Sequence, residues 1–207
     1  MKQLVMLAGC AVVLSGLAGC QKPAQTTPPI APAPPRGGVE VIIEGGGEFP
    51  QFLVGRWKAD DYRWEFVFEP NGTISSMVLN MGGVEIIPGQ TRTVPTRGGG
   101  EAIFEPGLWT VQYSPQNREL TVEIIMDHIH FEMGPQLLEG TRTDMFAGEV
   151  SEDGKIWRGD WFNFPDYIAH TSTGPKRLTI SQEEESYIGI IIFRKIEEED
   201  QLPGSAQ

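Results

Sequence analysis

From Tyr62 onward, aromatic residues hold one parity of the chain and charges the other: Tyr62, Trp64, Phe66 and Phe68 alternate with Arg63, Glu65 and Glu69. A period of two puts one set on a buried face and the other in solvent, so this stretch is predicted to be a half-buried strand. Pro70-Asn71-Gly72 follows as a tight turn, because proline fixes φ and Asn-Gly tolerates positive φ, and Thr73 to Asn80 returns as its partner. Val84 to Ile87 is a further short strand. After it comes a long polar loop, Pro88 to Gly100, with Arg92, Arg97 and three consecutive glycines. Trp109, Val111 and Tyr113 alternate on the next strand, Ser114 to Asn117 turns, and Glu119 to Met133 runs back as the longest strand-like stretch until Gly134-Pro135. Leu137 to Val150 and Ile156 to Phe164 pair across a turn carrying Asp153-Gly154, with Trp157 and Trp161 on one face. Pro165 to Arg177 reads as irregular, Ser181 to Glu184 as one short helical turn, and Tyr187 to Lys195 as the last strand.

About eight or nine strands result, joined by tight turns, without a helix of convincing length or the crossovers that parallel strands need. The fold class is therefore all-β, an antiparallel up-and-down meander. Such a meander must protect its edges, and the expectation is that residues 48–198 close into a barrel of about eight strands.

Within the longest strand the phase changes. Leu120, Val122, Ile124 and Met126 are apolar at even positions, whereas Ile129, Phe131 and Met133 are apolar at odd ones. A β-bulge near Asp127 restores the buried face and turns His128 and His130 towards solvent; without it both imidazoles point into the barrel. The bulge is the expectation. The two histidines are still the metal-like feature of the chain, since an i, i+2 pair on a strand projects from one face. A third ligand would have to come from Glu132, Glu139 or His170, none at a diagnostic spacing. No cofactor is implied by any motif. A Gly-x-Ser-x-Gly elbow is absent, Gly98-Gly99-Gly100 lacks the strand-to-helix context of a phosphate loop, and the carboxylate runs Glu183 to Glu185 and Glu197 to Asp200 are adjacent in sequence, as solvated charges are. The chain is expected not to be an enzyme.

The N-terminus changes the picture of where the domain lives. A single Lys2 precedes an apolar run from Leu4 to Gly16, too short for a permanent membrane helix and read as a secretory signal over residues 1–19. Leu17-Ala18-Gly19-Cys20 resembles the lipobox of bacterial lipoproteins, in which the cysteine is diacylated before the peptidase cuts in front of it. The resemblance implies lipidation of Cys20, anchoring in the cell envelope and, with Gln21 following the cysteine, the periplasmic face of the outer membrane. Leu7-Ala8-Gly9-Cys10 lies too early to leave an insertable run, so Cys10 is part of the apolar core of the signal. Residues 20–47 form a tether rich in proline and glycine, extended at about 3 Å per residue. Within it Val39 to Glu44 is a β-prone run that either pairs with the domain edge or belongs to the linker. Residues 199–207 read as a disordered tail. The net charge of −12 opposes binding to nucleic acid and to anionic headgroups, so acyl chains must do the anchoring. With Cys10 and Cys20 both outside it, the domain must hold together by packing alone.

Gly55-x-Trp57 on the first strand, the ensuing meander, and Arg194 on the last strand together resemble the lipocalin and calycin barrels. In those barrels the Gly-x-Trp closes the bottom beneath a basic residue. The resemblance implies that Gly55, Trp57 and Arg194 close the barrel; Thr143-Asp144-Met145 is the nearest match to the family's second signature. From the residues themselves, Trp57 beside a glycine is a large core residue with room made for it, and Arg194 over its ring would be a cation–π lid. Two readings of function stay open. In one, the envelope lipoprotein binds a small or apolar ligand inside the barrel or at its rim. In the other, the barrel is filled by its own aromatics and its surface contacts another envelope protein. A metal-dependent enzyme using His128 and His130 is a third.

Overall fold

The computed structural model describes residues 37–179 and 186–197. The signal, Cys20, most of the tether, the helical turn at 181–184 and the tail lie outside those residues. The described chain is all-β: β1 Val39–Ile43, β2 Gly55–Ala59, β3 Glu65–Phe68, β4 Ile74–Leu79, β5 Val84–Ile86, β6 Arg92–Pro95, β7 Glu101–Pro106, β8 Trp109–Ser114, β9 Glu119–Met133, β10 Gln136–Val150, β11 Ile156–Thr171, β12 Gly174–Thr179 and β13 Tyr187–Ile196. A single turn of 3-10 helix, Gln51–Leu53, precedes β2.

The strands form one sheet in the order β1-β8-β9-β10-β11-β13-β2-β3-β4-β5, with β7 also on β9, β6 on β7 and β12 on β11. The sheet is not closed, and this corrects the expected eight-strand barrel. Two elements explain the open path. The Val39 to Ile43 run docks on β8 in parallel, so the edge of β8 that a closing strand would need is already taken. At the other end β5 has only three residues. The two ends approach each other without a ladder: a Cβ on Gly89, just past β5, would stand 2.6 Å from the carbonyl oxygen of Gly37, just before β1.

β9, β10 and β11 are long enough to serve two regions. On β9, residues 119–123 pair with β8 and residues 126–131 with β7; on β11, residues 156–162 pair with β13 and residues 166–171 with β12. Their first-named halves belong to the curled core region, and their other halves form a wing of β6, β7, β9, β10, β11 and β12. The stretch expected to be a polar loop thus contains β6, and the stretch expected to be irregular is the continuation of β11, Pro165 included, followed by β12. Pro165 can lie within a ladder only where its missing N–H is not required, which sequence pattern alone does not disclose.

The alternation read from Tyr62 to Phe68 does build the core. Trp57, Trp64, Phe66, Phe68, Phe146, Trp157 and Phe193 are all buried. Their rings pack at centroid distances that include 4.6 Å for Trp157–Phe193 and 5.0 Å for Trp64–Phe146. Offset and edge-on aromatic pairs of this kind add to the burial of large apolar area. The Asn71-Gly72 turn forms as expected, with Gly72 at φ +85° and its N–H bonded to the carbonyl of Glu69 at 2.8 Å.

A charged pair interrupts this core. On β10 the inward parity reads Arg142, Asp144, Phe146, and Asp144 is fully buried. Arg142 donates to both carboxylate oxygens of Asp144, at 2.5 and 2.8 Å, and Trp161 Nε1 and Asn163 Nδ2 donate to the same carboxylate at 2.9 and 3.0 Å. The Arg142 guanidinium also sits 5.8 Å from the Trp64 ring centroid. Burial works against the charge on Arg142, but the field and hydrogen bonds of Asp144 outweigh it and leave its pKa above the ordinary value. A buried pair of this completeness resists the loss of either partner.

Register decides which cation accompanies Trp57. Trp57 lies opposite Lys195, whereas Arg194 lies opposite Lys58 on the other face and bonds Asp60 at 3.0 Å. The Trp57 indole is buried and donates to the carbonyl of Leu53 at 2.8 Å. Lys195 caps the same end, its amine 2.9 Å from the carbonyl of Phe52, and burial lowers its pKa. Gly55 keeps φ at +116°, with the Lys195 chain in van der Waals reach of a would-be Cβ.

Candidate functional site

The phase change on β9 is a bulge. Gly140 and Arg142 of β10 pair with Ile129 and Met126, so one residue of β10 faces two of β9, and on the other side Glu105 and Pro106 of β7 pair with His128 and Met126. The extra residue, Asp127, is exposed and folds over Gly107, where any Cβ would collide with its carboxylate. Ile124, Met126 and Ile129 are all fully buried as a result, and His128 and His130 leave the core face.

Turning outward does not leave the histidines as isolated surface. His130 sits directly across from Glu139 of β10, and His170 of β11 lies diagonally beyond it. His130 Nδ1 is 3.0 Å from Glu139 Oε1, His130 Nε2 is 3.4 Å from Glu132 Oε1, and His170 Nε2 is 3.4 Å from Glu139 Oε2. The hydrogen bond that His130 donates to Glu139 raises the pKa of His130 above its ordinary value, and the same contact lowers that of Glu139. The ligand atoms of His128, His130 and Glu139 all fall within 4.8 Å of one another. The wing thus brings together every residue that the sequence offered for a metal, on the outer face and not in a barrel interior. Pattern could set the parity of the histidines; their carboxylate neighbour depends on the β9–β10 register.

A second feature opens on the core side of the wing. A cleft of about 730 Å³ lies between the β4–β5 turn, β6 and the end of β9, floored by Val84, Val94, Ala102 and Phe131 and flanked by Arg63 and Arg97. Neither guanidinium joins an ion pair among the described residues. Below it the core is lined by buried indole and phenyl rings in mutual contact. Another hollow of about 550 Å³ lies over Gly148, Gly159 and Ile190, where paired glycines leave the sheet without side chains. Sequence reasoning placed Arg97 in a loop and had no means to see the cleft, whose walls come from four separated segments. The Arg142–Asp144 pair was legible in principle, since both charges share the parity of Phe146 and Val150.

Compared with models of protein families, with curated proteins and with solved structures, the chain matches none.

Proposed function

We propose that this chain is a non-catalytic, lipid-anchored protein of the bacterial envelope, held on the periplasmic face of the outer membrane through Cys20. It binds a small molecule with an apolar body and an anionic group at the rim of its sheet. The cleft carries this reading. Its volume falls within the range of ordinary ligand sites and its floor is apolar. At its edge stand two guanidinium groups that have no ion-pair partner among the described residues. An interior site has less support, because the indole and phenyl rings already occupy the space a lipocalin-like ligand would take.

The test is binding of an anionic naphthalenesulfonate dye, with native mass spectrometry of protein from its own host. Wild-type protein should bind one dye and carry a small acidic adduct. Arg63→Glu with Arg97→Glu should weaken dye binding about tenfold or more, as the removal of a charge-assisted hydrogen bond does. Dye binding that ignores both substitutions, in protein that carries no adduct, would overturn the ligand reading. The filled core favours the adaptor reading in that event, in which the surface contacts another envelope protein. Labelling of cells with a radioactive fatty acid tests the anchor: Cys20→Ser should abolish incorporation.

A further inference from the structure

We propose that the outer face of the wing is a binding site for one divalent transition-metal ion of the zinc type, held by His128, His130 and Glu139. The three ligands lie outside the rim cleft, which Glu132 also lines, and the site does not depend on a ligand bound there.

Three observations meet here. First, the Asp127 bulge puts both imidazoles on one face of β9, and the β9–β10 register sets a carboxylate directly across from the second of them. Their ligand atoms lie within 4.8 Å of one another, against about 3.4 Å between donors of a tetrahedral zinc shell with bonds near 2.1 Å. Rotamer adjustment in half-buried side chains closes that difference. Second, the charge is unbalanced. Glu132 and Glu139 both reach His130, and no Lys or Arg pairs with either carboxylate among the described residues. Neutral imidazoles would leave two carboxylates converging without a fixed cation, and a divalent ion supplies that charge. Third, the surroundings already orient the ligands. With Nδ1 of His130 turned to the ion, its Nε2–H points at Glu132, the carboxylate–histidine arrangement that fixes tautomer and ring orientation in metal sites. Glu132 is itself held, because its Oε2 accepts the N–H of Glu101 at 3.1 Å and Gly100 leaves the space a side chain would fill.

The donor set selects the ion. Two imidazoles and one carboxylate suit zinc and its neighbours in the first transition row, while calcium and magnesium ask for oxygen alone. His170, 3.4 Å from the far oxygen of Glu139, can either complete the shell or hold that carboxylate in place. The side chains of His130 and Glu139 are 18% and 37% exposed, so the ion enters from solvent without any opening of the fold.

The experiment is calorimetric titration of untagged, chelator-treated protein with zinc chloride, with magnesium chloride as the comparison. One zinc should bind and raise the melting temperature, and magnesium should do neither. His130→Gln should weaken zinc binding about 100-fold or more, and Glu132→Gln about tenfold, as loss of an orienting partner does. Glu85→Gln, on β5, should leave it unchanged. Each variant is melted without metal, and X-ray absorption of the zinc-loaded wild type reads the ligands directly, so a variant that fails to fold does not stall the test. A shell of two imidazoles with carboxylate oxygen supports the site. Absence of stoichiometric binding, an oxygen-only shell, or full affinity in folded His130→Gln overturns it.

Discussion

The two ends of β9, β10 and β11 use the same strands for opposite purposes. Towards Glu119, Val150 and Ile156 the sheet curls around stacked indole and phenyl rings, and among the described residues the buried charged pair on its inward face is Arg142 with Asp144. Towards Met133, Gln136 and Thr171 the same strands run on as a wing whose one face continues the core through Ile129, Phe104 and Ala102. Its other face gathers His128, His130, Glu132, Glu139 and His170. A single inserted residue, Asp127, stands between the two regimes. The comparison teaches that a strand can keep one buried face along its whole length only if a change in its apolar parity is matched by a change in its backbone.

The strongest way to break the comparison is to remove an aromatic from the core half. Trp157→Ala should cost about 3–5 kcal/mol in denaturant melts, whereas Arg97→Ala at the wing's edge should stay within about 0.5 kcal/mol. Equal effects would mean that core and edge have been assigned to the wrong halves. Asp144→Ala should be nearly as costly, about 3–5 kcal/mol, because it leaves the Arg142 guanidinium buried without its anion. Replacing both residues together, Arg142→Met with Asp144→Leu, should recover most of that loss; the double variant melting no higher than the single one would show that the network has a value beyond the pair.

Deleting Asp127 sharpens the boundary itself. Without the extra residue, β9 alternates regularly from Met126 inward through His128 outward to Ile129 inward, so Ile129 and Phe131 stay on the core side, the histidines stay outside, and the loss should be no more than about 1 kcal/mol. Hydrogen exchange reads this directly: amides of 129–139 and 164–178 should keep their protection, as should those of 57–68 and 157–161, and a loss confined to the first set would show that the wing depends on the bulge itself. The smallest effect is electrostatic. Arg177 and Thr179 hold Asp166 down to a pKa of about 2, below its ordinary value near 3.8. A depressed carboxyl stabilises the fold above its unfolded pKa, and that contribution disappears as pH falls from about 4 to about 2. Asp166 is on the wing's exposed face, so solvent screens the pair. The acid side of a melting-temperature profile should therefore flatten slightly in Asp166→Asn; an unchanged profile would remove the β11–β12 ion pair from the comparison.

Period-two alternation determined the class of this protein and much of its detail. The Asn71-Gly72 hairpin, the full extent of β9, the β10–β11 turn, the burial of Trp57, Trp157 and Trp161, and the bulge at Asp127 are all local consequences of which residues neighbour which. Side-chain parity and turn chemistry act over a few residues, and so a linear reading suffices for them. The open path of the sheet, the parallel docking of Val39–Ile43 on β8, the continuation of β11 through Pro165, the placing of Lys195 and not Arg194 on the Trp57 face, and the meeting of His130 with Glu139 were decided only by tertiary structure. Each depends on which strand lies beside which and in what register. Those choices are settled by the packing of all strands at once, and no short window of sequence contains them.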